Sequence, residues 1–461
     1  MRPWLLLIAS CYFYMAFVPS YILVLFFLIT VDYFLAFQIE RADKHKKLYL
    51  SISILSNVGI LFVFKYFNFF NENITALADM LHWNYSLDAL SLVLPLGLSF
   101  HIFQSLAYII EVYKGRFKAE RNYLTYALYV MFFPQLVAGP IERPAHLIPQ
   151  LKNVPIFKHG QVISGLRLMA WGFFKKIVIA NNLAVLVTFV YARAGTADAS
   201  ALLVAAFAFS LQLYADFSGY SDIAVGSART LGIDLVQNFK QPYFSRSVAE
   251  FWRRWHISLS SWFRDYVYLS LAWKYGARPG GLYSAIIVTF VLTGVWHGAG
   301  WNYVIMGLIF GFSICIGMWT KRWRDSFAEK VGLRGSVRSL LQVVLTFILA
   351  TFAWIFFRLA SLEEAGTVLY RIVTEWGNSS FQFLRCTDYC SFYILGVSKK
   401  ALLAAGLSVG ALFAVEYVQQ AGTMPRLWKY RAVRWLAYYV LLVWMLLTGY
   451  FAPTAFIYFQ F

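Results

Sequence analysis

Tyr21-Ile22-Leu23-Val24-Leu25-Phe26-Phe27-Leu28-Ile29-Thr30-Val31-Asp32-Tyr33-Phe34-Leu35-Ala36-Phe37 is almost wholly apolar, and the basic stretch Arg41-Ala42-Asp43-Lys44-His45-Lys46-Lys47 follows it. Crossing a bilayer as helix takes about 20 mostly apolar residues. Loops that stay on the cytoplasmic side collect Lys and Arg. Runs of the same kind recur at Ala201–Tyr214 and Trp435–Phe451. Of the 461 residues, 60% are hydrophobic and 13% charged, against about 45–50% and about 25% in soluble domains. A water-soluble core does not account for that excess, and an integral membrane protein is expected.

The net charge of +18, from 40 Lys and Arg against 22 Asp and Glu, reads as topology charge because the basic residues gather in short loops. No nucleic-acid partner is expected. A basic cytoplasmic face also draws anionic lipids or an anionic substrate.

Apolar length places about eleven spans, near 4–18, 20–37, 50–70, 89–112, 164–192, 201–231, 283–300, 302–320, 340–358, 397–421 and 433–453. The basic loops at 41–47, 114–118, 321–338 and 426–434 are expected in the cytoplasm. The loops Asn71–Asp88, Ala192–Ser200 and Leu359–Leu395, with the terminal Ala455–Phe461, are expected on the opposite side. This predicts an all-α polytopic protein with a single membrane domain, 1–461. Met1-Arg2-Pro3-Trp4 leads into apolar sequence without a small-residue cleavage site, so a retained first helix is expected.

Two stretches resist the pattern. Residues 123–140 are apolar enough to span, yet counting them inverts every later loop. They run into Phe133-Pro134-Gln135-Leu136-Val137-Ala138-Gly139-Pro140-Ile141-Glu142-Arg143-Pro144, where proline breaks helix. Broken backbone at membrane depth survives only inside protein or beside a water-filled cavity. A re-entrant or bent element is expected; the other reading is an ordinary kinked span. Residues 234–282 are too polar for a span and too aromatic for a linker, and are expected as amphipathic helix at the cytoplasmic boundary.

An ionisable residue within a span is a functional candidate by default. His297, in Thr293-Gly294-Val295-Trp296-His297-Gly298-Ala299-Gly300-Trp301, has glycines that leave room for a ligand. Histidine exchanges a proton near neutral pH, as general base catalysis requires; the competing reading is a hydrogen-bonded histidine joining helices. His256 follows Arg253, Arg254 and two tryptophans, and reads either as a second acid/base or as an interfacial residue. His101 reads as a polar packing residue, and His45, His82, His146 and His159 as loop residues in solvent. The run Gln212-Leu213-Tyr214-Ala215-Asp216-Phe217-Ser218-Gly219-Tyr220-Ser221-Asp222 is unusually polar for a span. It suggests a hydrated tunnel wall, a proton or ion path, or a structural network. Cys11 and Cys315 read as core residues, while Cys386 and Cys390 share a loop where a disulfide is one possibility. No metal-ligand pattern, Walker A sequence, dinucleotide fingerprint or Gly-x-Ser-x-Gly occurs.

Four segments, Phe133–Pro140, Tyr214–Asp222, Phe251-Trp252-Arg253-Arg254-Trp255-His256-Ile257-Ser258 and Trp296-His297-Gly298, occur in this order. Together they resemble the membrane-bound O-acyltransferases, in the branch of the bacterial alginate O-acetylation membrane proteins. The resemblance implies re-entrant and interfacial helices around a tunnel, with a cytoplasmic acyl donor meeting an acceptor from the other side. It implies His297 and His256 as catalytic residues. Trp296, Trp301, Asp216, Tyr220, Asp222, Arg253 and Arg254 are expected along the substrate path. It implies acetyl-CoA as donor substrate with no bound cofactor, a multi-pass location in the bacterial inner membrane, and a periplasmic or extracellular SGNH-type partner that completes transfer to a polysaccharide. D-alanyl transfer from a carrier protein to teichoic acid is the near alternative. A transporter using Asp216, Asp222 and His297 as an ion path is the alternative of another class.

Overall fold

The computed structural model describes residues 2–153, 156–377, 381–385, 388–423, 426–452, 454, 456 and 457, and among these the regular structure is helical throughout. Among the described residues, eight helices are long and apolar enough to cross a membrane. In chain order the labelled helices begin with α1 (Arg2–Met15), α2 (Pro19–Arg41), α3 (Lys46–Met80), α4 (Leu98–Tyr113), α5 (Tyr123–Met131) and α6 (Pro144–Lys152). Then come α7 (His159–Tyr191), α8 (Ala199–Thr230), α9 (Val248–Arg254), α10 (Ile257–Phe263), α11 (Leu269–Tyr275) and α12 (Gly281–His297). The last are α13 (Trp301–Trp319), α14 (Lys321–Lys330), α15 (Gly335–Arg358), α16 (Leu362–Thr374), α17 (Lys399–Ala421) and α18 (Arg431–Thr448).

The eight are α2, α3, α7, α8, α13, α15, α17 and α18. Three further spans expected from sequence are shorter helices of 14, 16 and 17 residues, α1, α4 and α12. At 1.5 Å per residue the longest of these reaches about 26 Å, just under a hydrocarbon core of about 30 Å. The fourth expected span, 89–112, keeps helix only from Leu98. Pro95 lacks the donor a helix needs, and Gly97 turns left-handed at φ 72°.

The described residues form two compact units, the first within 2–169 and 223–237, the second within 170–222 and 238–457. In the first, the stretch that resists the loop pattern is a nine-residue helix, α5, followed by a buried turn. It is far too short to span. Its broken backbone is satisfied inside protein, as the bilayer demands. Gln104 and Gln135 donate to the Tyr129 carbonyl at 2.7 and 2.8 Å, and the Phe133 N–H donates to Ser10 Oγ at 3.1 Å. Asp32, the single carboxylate of the opening run, is fully buried and accepts hydrogen bonds from Ser53 and Asn57 of α3. His146 is not merely a solvated loop residue. It lies on α6, 2.6 Å from the buried Glu142, whose other oxygen accepts the Val236 N–H.

In the second unit, residues 238–282 fold as several short helices in place of one amphipathic rod. Phe251, Trp252, Trp255 and Trp262 are buried in protein, and Trp273 alone of these tryptophans is exposed. Seven-residue helices are marginal by themselves and hold only through packing. Here the packing is aromatic, with Trp255 stacked on Phe251 and edge-on to Phe239. Helices α7 and α8 meet closely at glycine: a Cβ on Gly219 would lie 2.8 Å from the Gly172 carbonyl oxygen. Small residues serve the same purpose at many membrane helix crossings. Cys386 lies outside the described residues, as does most of the terminal Ala455–Phe461.

Candidate active site

Every residue of this site belongs to the second unit. Helix α9 starts on a serine cap: Ser247 Oγ accepts the Glu250 N–H at 3.2 Å, and the Glu250 carboxylate reaches back to accept the Arg246 N–H at 2.9 Å. The helix stops at Arg254, and two residues later His256 turns left-handed, with φ 42° and ψ 57°. That turn buries the imidazole completely. Phe217 of α8 meets it edge-on, with ring centroids 4.6 Å apart. Burial pushes the His256 imidazole down, to about 3, so the ring is neutral and has a lone pair for a proton.

Helix α12 ends on His297, where Gly298 and Gly300 extend the backbone into α13. Asn302 Nδ2 ties the start of α13 to the end of α15 by donating to the Phe356 and Leu359 carbonyls at 3.1 and 2.8 Å. The His297 ring is buried, 5.3 Å from the Phe357 ring. Trp296 joins the two histidines: its ring centroid lies 6.2 Å from His256 and 4.7 Å from His297. Two histidines more than forty positions apart therefore share one buried aromatic chamber.

The polar run on α8 is held by ion pairs and hydrogen bonds. Asp216 is buried, pairs with Lys176 at 2.5 Å and accepts the Ile457 N–H at 2.9 Å. Asp222 pairs with Lys175 at 2.6 Å, and Lys175 also donates to Ser218 at 3.0 Å. Tyr214 hydrogen-bonds Glu416 of α17. Tyr220 stacks on Phe456 with centroids 4.7 Å apart. Both carboxylates are neutralised by lysine, which favours the structural network among the readings of this run.

The two lysines were the residues that sequence reasoning missed. Lys175-Lys176 interrupts the run 164–192, and an ionisable pair inside a span was the available signal. Consecutive residues on an α-helix point about 100° apart. A π-helical stretch, Phe174–Ala180, widens the turn here, and such insertions are frequent at functional sites.

The remaining expected residues divide. Trp301 is 54% exposed at the start of α13 and does not share the buried chamber. Arg254 pairs with Glu250 at 2.6 Å and so braces α9. Arg253 points outward and lines a cavity of about 460 Å³ together with Trp252, Ser261, Arg264, Phe290 and Thr293. Ile257, next to His256, is also on its wall, and Thr293 lies one helical turn before His297. Ligand cavities typically run from about 300 to 1,000 Å³, mostly apolar with a few placed polar groups. Among the described residues no cluster of His, Cys, Asp and Glu could hold a metal ion.

The sequence profile of the membrane-bound O-acyltransferase family matches residues 120–362, which include both histidines, the α8 run and the cavity. The chain is 33% identical over 402 residues to a peptidoglycan O-acetyltransferase of Helicobacter pylori, covering 81% of this chain and 73% of that protein. It is 36% identical over 390 residues to a probable alginate O-acetylase of Pseudomonas syringae, covering 82% of this chain and 71% of that protein. A teichoic acid D-alanyltransferase of Bacillus subtilis is 28% identical over 277 residues, covering 58% of this chain and 69% of that protein. The chain is thus a multi-pass membrane O-acyltransferase, and it belongs to the membrane-bound O-acyltransferase family.

Proposed function

We propose that this chain moves a short acyl group, most simply acetyl, from a cytoplasmic thioester donor toward a hydroxyl of an exported or envelope polysaccharide such as alginate. The observation that carries the reading is the shared burial of His256 and His297 around Trp296. Acetyl fits the higher identity to proteins named as O-acetylases, 33% and 36%, over the D-alanyltransferase at 28%.

Acetyl-CoA is the proposed donor, acting as substrate and not as a resident cofactor. Its pantetheine arm occupies the cavity beside α9 and α12, where Arg253 and Arg264 receive anionic groups at the outer end. The acceptor hydroxyl attacks the thioester carbonyl while His297 takes its proton as general base. The tetrahedral intermediate collapses, the carbon–sulfur bond breaks, and the proton passes to the departing thiolate. The products are an oxygen ester and free CoA thiol. His256 serves as second acid/base or holds the donor end. The aromatic walls keep out water that would hydrolyse the thioester. Placement in the bacterial inner membrane, with an SGNH-type partner outside completing transfer to the polymer, belongs to the same proposal.

The test is ester-linked acetate on extracted envelope polysaccharide, comparing wild type with His297→Ala at matched membrane levels. Loss of acetate supports the reading, and unchanged acetate overturns the role of His297. Dependence on a phosphopantetheine carrier protein in place of free acetyl-CoA would move the assignment to D-alanyl-type transfer. Flux of ions without any acyl donor would move it to a transporter.

A further inference from the structure

We propose that Asn238 is a positioning residue for His256, holding the turn that aims the imidazole into the aromatic chamber. The inference rests on the reading of His256 as a participant in acyl transfer. Asn238 lies outside every motif quoted from the sequence, eighteen positions before the histidine.

His256 is one of only four non-glycine residues among those described with positive φ. Left-handed backbone is sparsely populated by residues with a Cβ, although histidine is among those enriched there. It persists where the surroundings over-determine it, and such positions gather at functional sites. Here the surroundings are the segment 238–240. The Asn238 carbonyl accepts the Ile257 N–H at 2.8 Å. Asn238 Oδ1 accepts from Ser258 twice, from Oγ at 2.7 Å and from N at 3.3 Å. On the other side of the histidine, the Lys240 N–H donates to the Arg254 carbonyl at 2.9 Å. The Asn238 amide donates in turn to Ser221 Oγ on α8 at 3.3 Å, linking the turn to the helix that carries Phe217.

Asn238 is 1% exposed and Ser258 3%, so water does not substitute for these bonds when they are removed. The side chain thus fixes the residues on the C-terminal side of His256, and its backbone neighbours fix those on the N-terminal side. Loss of the amide frees the first turn of α10, so His256 relaxes from its left-handed backbone toward more populated values and the imidazole swings with it. It has no contact with substrate to lose. Its effect is on where His256 sits.

Leucine keeps the branched shape of asparagine without its hydrogen-bonding groups. Aspartate keeps the acceptor for Ser258, and Ser221 can rotate to donate where it formerly accepted. A packing role therefore predicts that the two variants behave alike, and a positioning role predicts that only Asn238→Asp keeps the rate. The experiment uses full-length protein in membranes at matched levels, with labelled acetyl-CoA as donor and ester formation as readout across donor concentrations. The expected result is a kcat lowered about tenfold to a hundredfold in Asn238→Leu with donor KM unchanged, and most of the rate recovered in Asn238→Asp. Wild-type rate in Asn238→Leu beside an inactive His256→Ala overturns the positioning role alone. Asn238→Asp as defective as Asn238→Leu also overturns it. Full activity in His256→Ala overturns the reading on which the proposal rests, and the proposal with it. Where Asn238→Leu accumulates poorly, Ser258→Ala removes one of the same bonds, and a severalfold fall in kcat at constant KM is expected; no fall overturns the role.

Discussion

Replacing Gly294 by alanine adds a single methyl group one turn before His297, and the close crossing of α12 and α13 makes that methyl consequential. A Cβ at 294 would lie 2.2 Å from the Tyr303 carbonyl oxygen and 3.3 Å from Gly307 Cα. Ordinary contact begins at 3.4 Å, so the helices must part by about 1.2 Å. The obstructing atom is backbone, and no rotamer change relieves it. The crossing is tight from both sides, since a Cβ on Gly307 would lie 2.4 Å from the Phe290 carbonyl oxygen. Overpacking of this kind costs about 1–3 kcal/mol, and alanine returns up to about 1 kcal/mol of helix propensity. Net stability therefore falls only modestly. The rate falls further, because Tyr303 packs edge-on against Phe357, which packs against His297, and a 1 Å misplacement at a reacting group costs about a hundredfold. Ester-linked acetate per unit of membrane protein, beside thermal unfolding in detergent, separates the two effects. Gly317→Ala, on α13 with open space around it, is the control and keeps wild-type values in both. A wild-type rate in Gly294→Ala would refute the argument that this crossing sets the position of His297.

Removing Lys176 as Lys176→Met strands the buried Asp216 and is expected to destabilise the purified protein by about 3–5 kcal/mol, while Lys176→Met with Asp216→Leu recovers most of that loss. Chemical unfolding of the three proteins checks it; an undestabilised single variant would deny the pair its structural role. Arg253→Ala is expected to raise the KM for acetyl-CoA about tenfold with little change in kcat, as the loss of one charge-assisted contact would. A changed kcat at constant KM would place Arg253 elsewhere in the reaction. The hydrogen bond to Glu142 raises His146 above its ordinary range. The stabilisation is therefore complete below about pH 6.5, the unfolded value, and is lost as pH rises through the raised folded value. The melting temperatures of wild type and His146→Gln should differ in acid and converge in alkali.

Composition and run length by themselves determined that this chain is a helical membrane protein, because apolar helix of bilayer length has no other stable place. They also marked a break where 123–140 runs into Phe133-Pro134, since proline cannot continue a helix, and they marked His297 as an ionisable group in an apolar span. What they did not determine was partnership. The Lys175-Lys176 pair was visible as charge inside a span, yet its neutralisation of Asp222 and Asp216 depends on a π-helical turn and on α8 lying against α7 through Gly172 and Gly219. The tryptophans around His256 carry the composition of a membrane-surface helix, and burial among Phe251, Phe239 and Trp354 gives them a different role. Asn238 has no sequence signal, because a hydrogen-bonded clamp follows no period. Local pattern fixes what each segment can bury. Which groups then meet is decided by long-range packing, where a difference of about 1 Å in helix approach outweighs any single residue's preference.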